Sequence, residues 1–162
     1  MADRIDPIRP TDDEARTLAR RLIAEATFGA LAALDPETGF PHVARVAVGQ
    51  HGLVPLILVS TLSHHTKALE ADPRCSLLLG EPGPKGDPLT HPRLTLQARA
   101  IPADKAALRE SWLAAHPKTT LYYDFSDFLL LRLDPSSAHL NGGFGRAFRL
   151  TPEDLGPSSG AA

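Results

Sequence analysis

Apolar and polar positions along the chain change period several times, and each change marks a predicted element. Ala15, Leu18, Ala19, Leu22, Ile23 and Ala26 recur at helical spacing, so one face packs while Arg16, Arg20 and Arg21 stay in water. Ahead of them Thr11-Asp12-Asp13-Glu14 reads as a capping box, the Thr11 hydroxyl accepting from the Glu14 amide. From Phe28 the period shortens to that of strands. Residues 28–34 form a strand, 35–39 a turn, and 41–48 a second strand. In that second strand Val43, Arg45 and Ala47 share one face, and Ala44, Val46 and Val48 share the other. Residues 49–52 turn the chain back into the apolar run 53–59, where Pro55 predicts an edge position or a bulge. Ser63 is the expected N-cap of a helix that ends near Asp72, because Pro73 stops it. A strand over 74–80 follows, then a Pro- and Gly-rich loop over 81–88 and a strand over 93–101. The spacing predicts a helix over 104–115, with Leu108, Ser111, Trp112 and Ala115 on its stripe. Residues 128–133, 137–140 and 144–150 supply the last strand-like pieces, and 156–162 reads as a disordered small-residue tail.

Short strands joined by tight turns, with helices few and peripheral, predict a mainly β, α+β fold: a small antiparallel barrel rather than a doubly wound sheet. The chain divides into an N-terminal arm (1–10), one domain (11–150) and a flexible tail (151–162). No phosphate-loop motif and no Gly-rich turn between the first strand and a helix is present. The formal net charge of −2 argues against binding nucleic acid by neutralising phosphates. The first residues lack the apolar stretch of a signal peptide, and the run 53–59 is too short to span a membrane, so a cytoplasmic location is expected. The single cysteine, Cys75, rules out an intramolecular disulfide and reads as a buried, inert thiol. Seven histidines include no His-x-x-x-His pair, so no metal site is predicted.

The most informative stretch runs from Val59 to Lys67. It gathers Ser60, Ser63, His64, His65, Thr66 and Lys67 where an apolar strand enters a helix. A helix N-terminus offers free amides and partial positive charge, a seat for phosphate, and Arg45 on the preceding strand is within reach as a bidentate partner. The alternative is that Ser60 and Ser63 merely cap a helix with a polar face. In Asn141-Gly142-Gly143-Phe144-Gly145-Arg146 the glycines allow close backbone approach while Phe144 and Arg146 remain free to stack or bind an anion. The alternative there is a plain hairpin turn closed by a core Phe144. Arg93, where a loop enters a strand, reads as solvated or salt-bridged.

With these residues in view, the chain resembles the FMN-binding split-barrel proteins related to pyridoxamine 5′-phosphate oxidase, and within them it is most similar to the haem-utilisation branch. The resemblance is carried by residues 41–48, 58–66, 72–78, 86–93 and 141–147, in order and spacing, over roughly 10–150. It implies a six-stranded antiparallel split β-barrel, homodimeric, with FMN at the subunit interface, acting as an FMN-dependent oxidoreductase on a small-molecule redox substrate. In that pattern Arg45, Ser60, Ser63, His65, Thr66 and Lys67 hold the phosphate and ribityl chain. Val46 and Leu62 line the flavin, and Arg93, Phe144 and Arg146 complete the contacts, the last two from a loop that closes over it. No catalytic residue is assigned, because the flavin itself carries the redox chemistry. The alternatives are a haem-binding or haem-degrading protein on the same scaffold, a non-enzymatic flavin carrier, or a deazaflavin in place of FMN. Haem-degrading members carry further C-terminal sequence with a haem-contacting histidine; His139 is the nearest C-terminal candidate here, and a poor one. Trp112 is explained by core packing, so the C-terminal Arg/Trp-type motif of vitamin B6 oxidases is unmatched and vitamin B6 synthesis is disfavoured.

Overall fold

The computed structural model describes residues 6–156. In chain order the elements are β1 (Ile8–Arg9), α1 (Asp13–Glu25), β2 (Phe28–Leu34), β3 (Pro41–His51), β4 (Val54–Ser60) and α2 (His64–Ala71). They continue with β5 (Arg74–Leu79), β6 (Arg93–Pro102), α3 (Arg109–Ala115), β7 (Phe128–Asn141) and β8 (Ala147–Leu150). Strands β7, β4, β3, β2, β5 and β6 pair in that order, and β6 closes back on β7, giving a six-stranded antiparallel barrel. Strand β8 adds to β7, and β1 pairs with β8 in parallel.

The closure depends on β7. Its residues 128–132 pair with β4, 131–141 with β6, and 138–141 with β8. Gln97 faces Ser137 whereas Ala98 faces Pro135, so Ser136 is an extra residue and the strand bends there. The pieces predicted over 128–133 and 137–140 are therefore one strand, because a bulge accommodates Pro135 without ending the ladder. The piece predicted from 144 starts only at Ala147.

Other expectations shift for local reasons. The cap of α1 is Asp12, whose carboxylate accepts from the Ala15 amide at 2.8 Å, while the Thr11 hydroxyl donates to the Arg149 carbonyl at 2.8 Å. Gly49 and Gln50 are not a turn but pair with Leu56 and Pro55, so β3 runs on to His51. Pro55 lies on neither an edge nor a bulge: β4 is central, and its pairing with β7 starts at Leu56, one residue beyond the proline. The helix predicted over 104–115 begins only at Arg109, and Trp112 is its one buried residue, with Ser111 and Ala115 exposed. The chain from Thr151 to Gly156 is docked rather than flexible. Leu155 is buried in the core, and Asp154 accepts from the Arg16 guanidinium at 2.7 Å. The small-residue tail beyond Gly156 lies outside the described residues.

Inside the barrel Leu31, Val46, Val48, Ile57, Leu77, Leu94, Leu96, Leu133 and Leu140 form one core with Ala15, Ala19 and Ile23 of α1 and Ala68 and Leu69 of α2. Cys75 is in that core, and burial pushes its thiol pKa up to about 11, so it is inert as expected. A second cluster forms outside β4, where Trp112 packs with Leu56, Leu58, Tyr123 and Leu130. By strand alternation, the outer face of β2, β3 and β5 carries Phe28, Leu34, Val43 and Leu78, all exposed.

Candidate functional site at the β4–α2 junction

Ser60 ends β4, and its hydroxyl accepts from the Leu62 amide at 3.2 Å. This tight turn delivers the chain into α2 at Ser63. Ser63 occupies the N-cap position, yet its hydroxyl makes no capping bond. Among the described residues no group accepts from the amides of His64, His65 and Thr66, while the Lys67 amide reaches the Ser63 carbonyl at 3.3 Å. The helix therefore opens with three free donors and the positive end of its dipole. Thr66 is 1% exposed, and its hydroxyl has no hydrogen-bond partner. A buried unpaired polar atom is uncommon and calls for an explanation. Taken together, these groups make a seat for anionic oxygens.

Three imidazoles stand at the same place. The rings of His42 and His64 meet edge-on with centroids 4.7 Å apart. The His64 Nε2–H donates to Asp35 at 3.0 Å. Asp35 is itself held by the Glu37 and Thr38 amides, which keep its carboxyl below the usual carboxylate range. Burial lowers the His65 pKa, and His42 and His64 push the same way, which favours a neutral ring with a free lone pair. Next to this cluster in the sequence are Leu62 and Phe40, 77% and 75% exposed. Among the described residues no three His, Cys, Asp or Glu side chains are arranged to hold a bare metal ion.

The expected site residues divide. Ser60, Leu62, Ser63, His65, Thr66 and Lys67 gather at the junction by their place in the chain. Arg45 is on the outer face, its guanidinium 5.6 Å over the Phe28 ring, in a cleft of about 380 Å³ shared with Leu78, Gly80 and Pro82. No hydrogen bond or ion pair among the described residues joins it to α2. Val46 points into the barrel core, so its side chain cannot line a ligand on the outer surface. The Arg93 guanidinium donates to the Leu89 carbonyl at 2.8 Å and so bonds its own loop. Arg146 pairs with Glu14 of α1 at 3.1 Å. Phe144 is 97% exposed and closes over nothing in this chain; it is not the core residue of a hairpin turn. Sequence reasoning missed the cluster of His42 and His64 with Asp35. No spacing rule could have found it, since the β2–β3 hairpin brings residues 35 and 42 together and the packing of α2 against these strands adds residue 64.

The comparisons with known proteins agree with this architecture. A family described as Pyridoxamine 5′-phosphate oxidase matches residues 15–141. A solved structure 45% identical superposes with a TM-score of 0.84, over 91% of this chain and 99% of that one. A heme binding protein from Mycobacterium smegmatis is 32% identical, with a TM-score of 0.80 over 91% of this chain and 61% of that one. A non-canonical heme oxygenase, HOZ, chloroplastic, from Arabidopsis thaliana is 39% identical over 99 residues, which are 58% of this chain and 29% of that protein. The chain thus spans less than two thirds of both of these relatives. On the matched profile and the closed six-stranded barrel, the chain belongs to the pyridoxamine 5′-phosphate oxidase-like split-barrel family.

Proposed function

We propose that this chain binds haem, seated at the β4–α2 junction. The observation that carries the reading is the pairing of an anion seat with a cluster of imidazoles, next to which in the sequence stand exposed Leu62 and Phe40. Haem needs all three: donors for its carboxylates, a nitrogen for its iron and apolar surface for its ring. The FMN expected from the resemblance would use the same anion seat for its phosphate, but it has no need of the imidazoles. The relatives described as heme binding and heme oxygenase support the same choice. Bound haem would supply the iron-centred redox chemistry. The free amides of His64, His65 and Thr66 would bind a carboxylate, with Lys67 adding charge at the helix N-terminus. Leu62 and Phe40 would keep water from the ring.

Titration of the purified chain with ferric haem and, separately, with FMN tests this. Haem uptake with a shifted absorption band is expected, and uptake of FMN alone would overturn the reading. Lys67→Glu reverses one exposed charge at the seat and is expected to weaken haem binding about fivefold, or about 1 kcal/mol. Unchanged affinity would remove the seat from the account.

The same reading includes a homodimer. Among the described residues the outer face leaves Phe28, Leu34, Val43 and Leu78 exposed, and exposed apolar patches of this kind mark interaction surfaces. A second copy can bury it isologously. Sedimentation should give a dimer, and Val43→Glu should give monomers; a wild-type chain that sediments as a monomer would end this part of the proposal.

A further inference from the structure

We infer that the cavity on the outer wall of the barrel over β2, β5 and β6 binds a small organic monocarboxylate. Arg99 and Gln97 would hold the carboxylate, and Ala32, Leu34 and Pro41 the apolar body. None of these residues belongs to the β4–α2 junction, so the inference goes beyond the haem reading and stands without it.

Strand register builds the site. Arg74 is directly opposite Arg99, and Ser76 is directly opposite Gln97, so the four make one block on the outer face. Alternation sends their neighbours Cys75 and Ala98 into the core. Ala32 pairs with Ser76 on the other side of β5, and Leu34 pairs with Pro41 at the end of β2. With Ser136, the extra residue of the β7 bulge, they line a cavity of about 470 Å³, a size that suits a small molecule.

The charges of this block do not balance. Like charges directly opposite each other on a sheet repel, so Arg74 facing Arg99 carries a cost. The nearby acids are committed elsewhere. Asp72 accepts from Arg74 Nη2 at 2.6 Å and from Nε at 3.0 Å. These bonds, and to a lesser degree the charge of Arg99, hold the Asp72 carboxyl at about 2, so it stays ionised. Asp134, opposite Arg99 on β7, accepts from Arg132 Nη2 at 3.0 Å. Those two pairs cancel, and Arg99 is left with no hydrogen bond or ion pair among the described residues. The site therefore carries one positive charge, which a carboxylate neutralises and a phosphate dianion exceeds. Gln97 supplies further donors. Its Oε1 accepts from the Ser137 hydroxyl at 2.8 Å, which fixes the amide and leaves its N–H groups without an acceptor among the described residues. A guanidinium fork beside a planar amide suits the planar carboxylate.

The test is titration of the full chain, labelled with nitrogen-15, with benzoate, acetate, benzamide and inorganic phosphate in turn. Backbone amide shifts around Ser76 and Gln97 report the binding. Benzoate should give a saturable one-site response, acetate a weaker one, and benzamide and phosphate almost none. Arg99→Gln should weaken benzoate at least about tenfold. Gln97→Glu keeps the bond from Ser137 and cancels the charge, so it should do the same. Lys118→Gln removes an equal charge elsewhere and should leave the affinity unchanged. Arg99→Gln also relieves the repulsion with Arg74, so it should melt no lower than the wild type, which separates lost binding from lost fold. The inference is overturned by no saturable response to either carboxylate at millimolar concentration, by phosphate binding as well as benzoate, or by Arg99→Gln keeping its affinity. An equal loss in Lys118→Gln overturns it too. Shifts at these amides on dilution, with none on adding benzoate, would assign the cavity to a second copy of the chain instead.

Discussion

Replacing Gly80 by alanine is expected to cost about 3–5 kcal/mol of stability, a large share of what holds a small domain together. Gly80 directly follows β5 with φ at +101°, a region that residues with a Cβ rarely enter. A Cβ there would stand 2.5 Å from the Pro92 carbonyl oxygen and 2.9 Å from the Arg93 Cα. Both are backbone atoms at the entry to β6, so neither can rotate aside. Gly39 isolates the conformational part, because its φ is +73° but nothing lies within 4 Å of a Cβ. Gly39→Ala should lose only about 1–2 kcal/mol. Urea unfolding of the two variants beside the wild type measures the difference. Equal losses would mean that the contact at Gly80 yields. Gly80 also lines the cleft that holds Arg45 and Phe28, so this variant disturbs the outer face as well as the stability.

Trp112→Ala is expected to destabilise the protein by about 3–5 kcal/mol. The ring is 2% exposed and stacks on His116 with centroids 4.5 Å apart. Its Nε1–H donates to the Thr119 hydroxyl at 3.1 Å. It also packs against β3 at Gly49, where a Cβ would come within 2.8 Å of the ring. Truncation would leave a cavity over β3 and β4, while the Thr119 hydroxyl keeps its bond to the His116 carbonyl at 2.7 Å. Trp112→Phe keeps most of the packing and loses the hydrogen bond, so it should cost about 1–2 kcal/mol. Thermal or urea unfolding followed by far-ultraviolet circular dichroism reads both variants. A loss below about 1 kcal/mol for the alanine variant would show that this cluster is dispensable. The consequence for the site is indirect: the clamped β3–β4 hairpin presents His42 at one end of β3 and Ser60 at the end of β4.

The site was half legible. The stretch from Ser60 to Lys67 could be picked out because hydroxyls, imidazoles and an ammonium at a strand-to-helix junction are a local pattern. Arg45 was correctly placed on a strand face, but which direction its guanidinium takes depends on Phe28, seventeen residues away in sequence and two steps along in cross-strand register. Val46 was legible through the pleat alone. Alternation puts it opposite Arg45, which in a barrel means the interior, and its side chain is in the core. Arg146 was free in sequence and became committed only when β8 brought it beside Glu14 of α1.

By itself the sequence placed most of the helices and strands, predicted an antiparallel, barrel-like sheet, and singled out the β4–α2 turn as a candidate anion seat or a plain helix cap. Those features follow from periodicity, turn chemistry and capping, which act over a few neighbouring residues. The tertiary structure decided how the barrel closes, because the bulge at Ser136 lets one strand serve three partners. It also decided that Asp35, His42 and His64 meet. Register across a closed sheet is a property of the whole set of pairings, and a one-residue slip of β3 against β2 would send His42 to the other face.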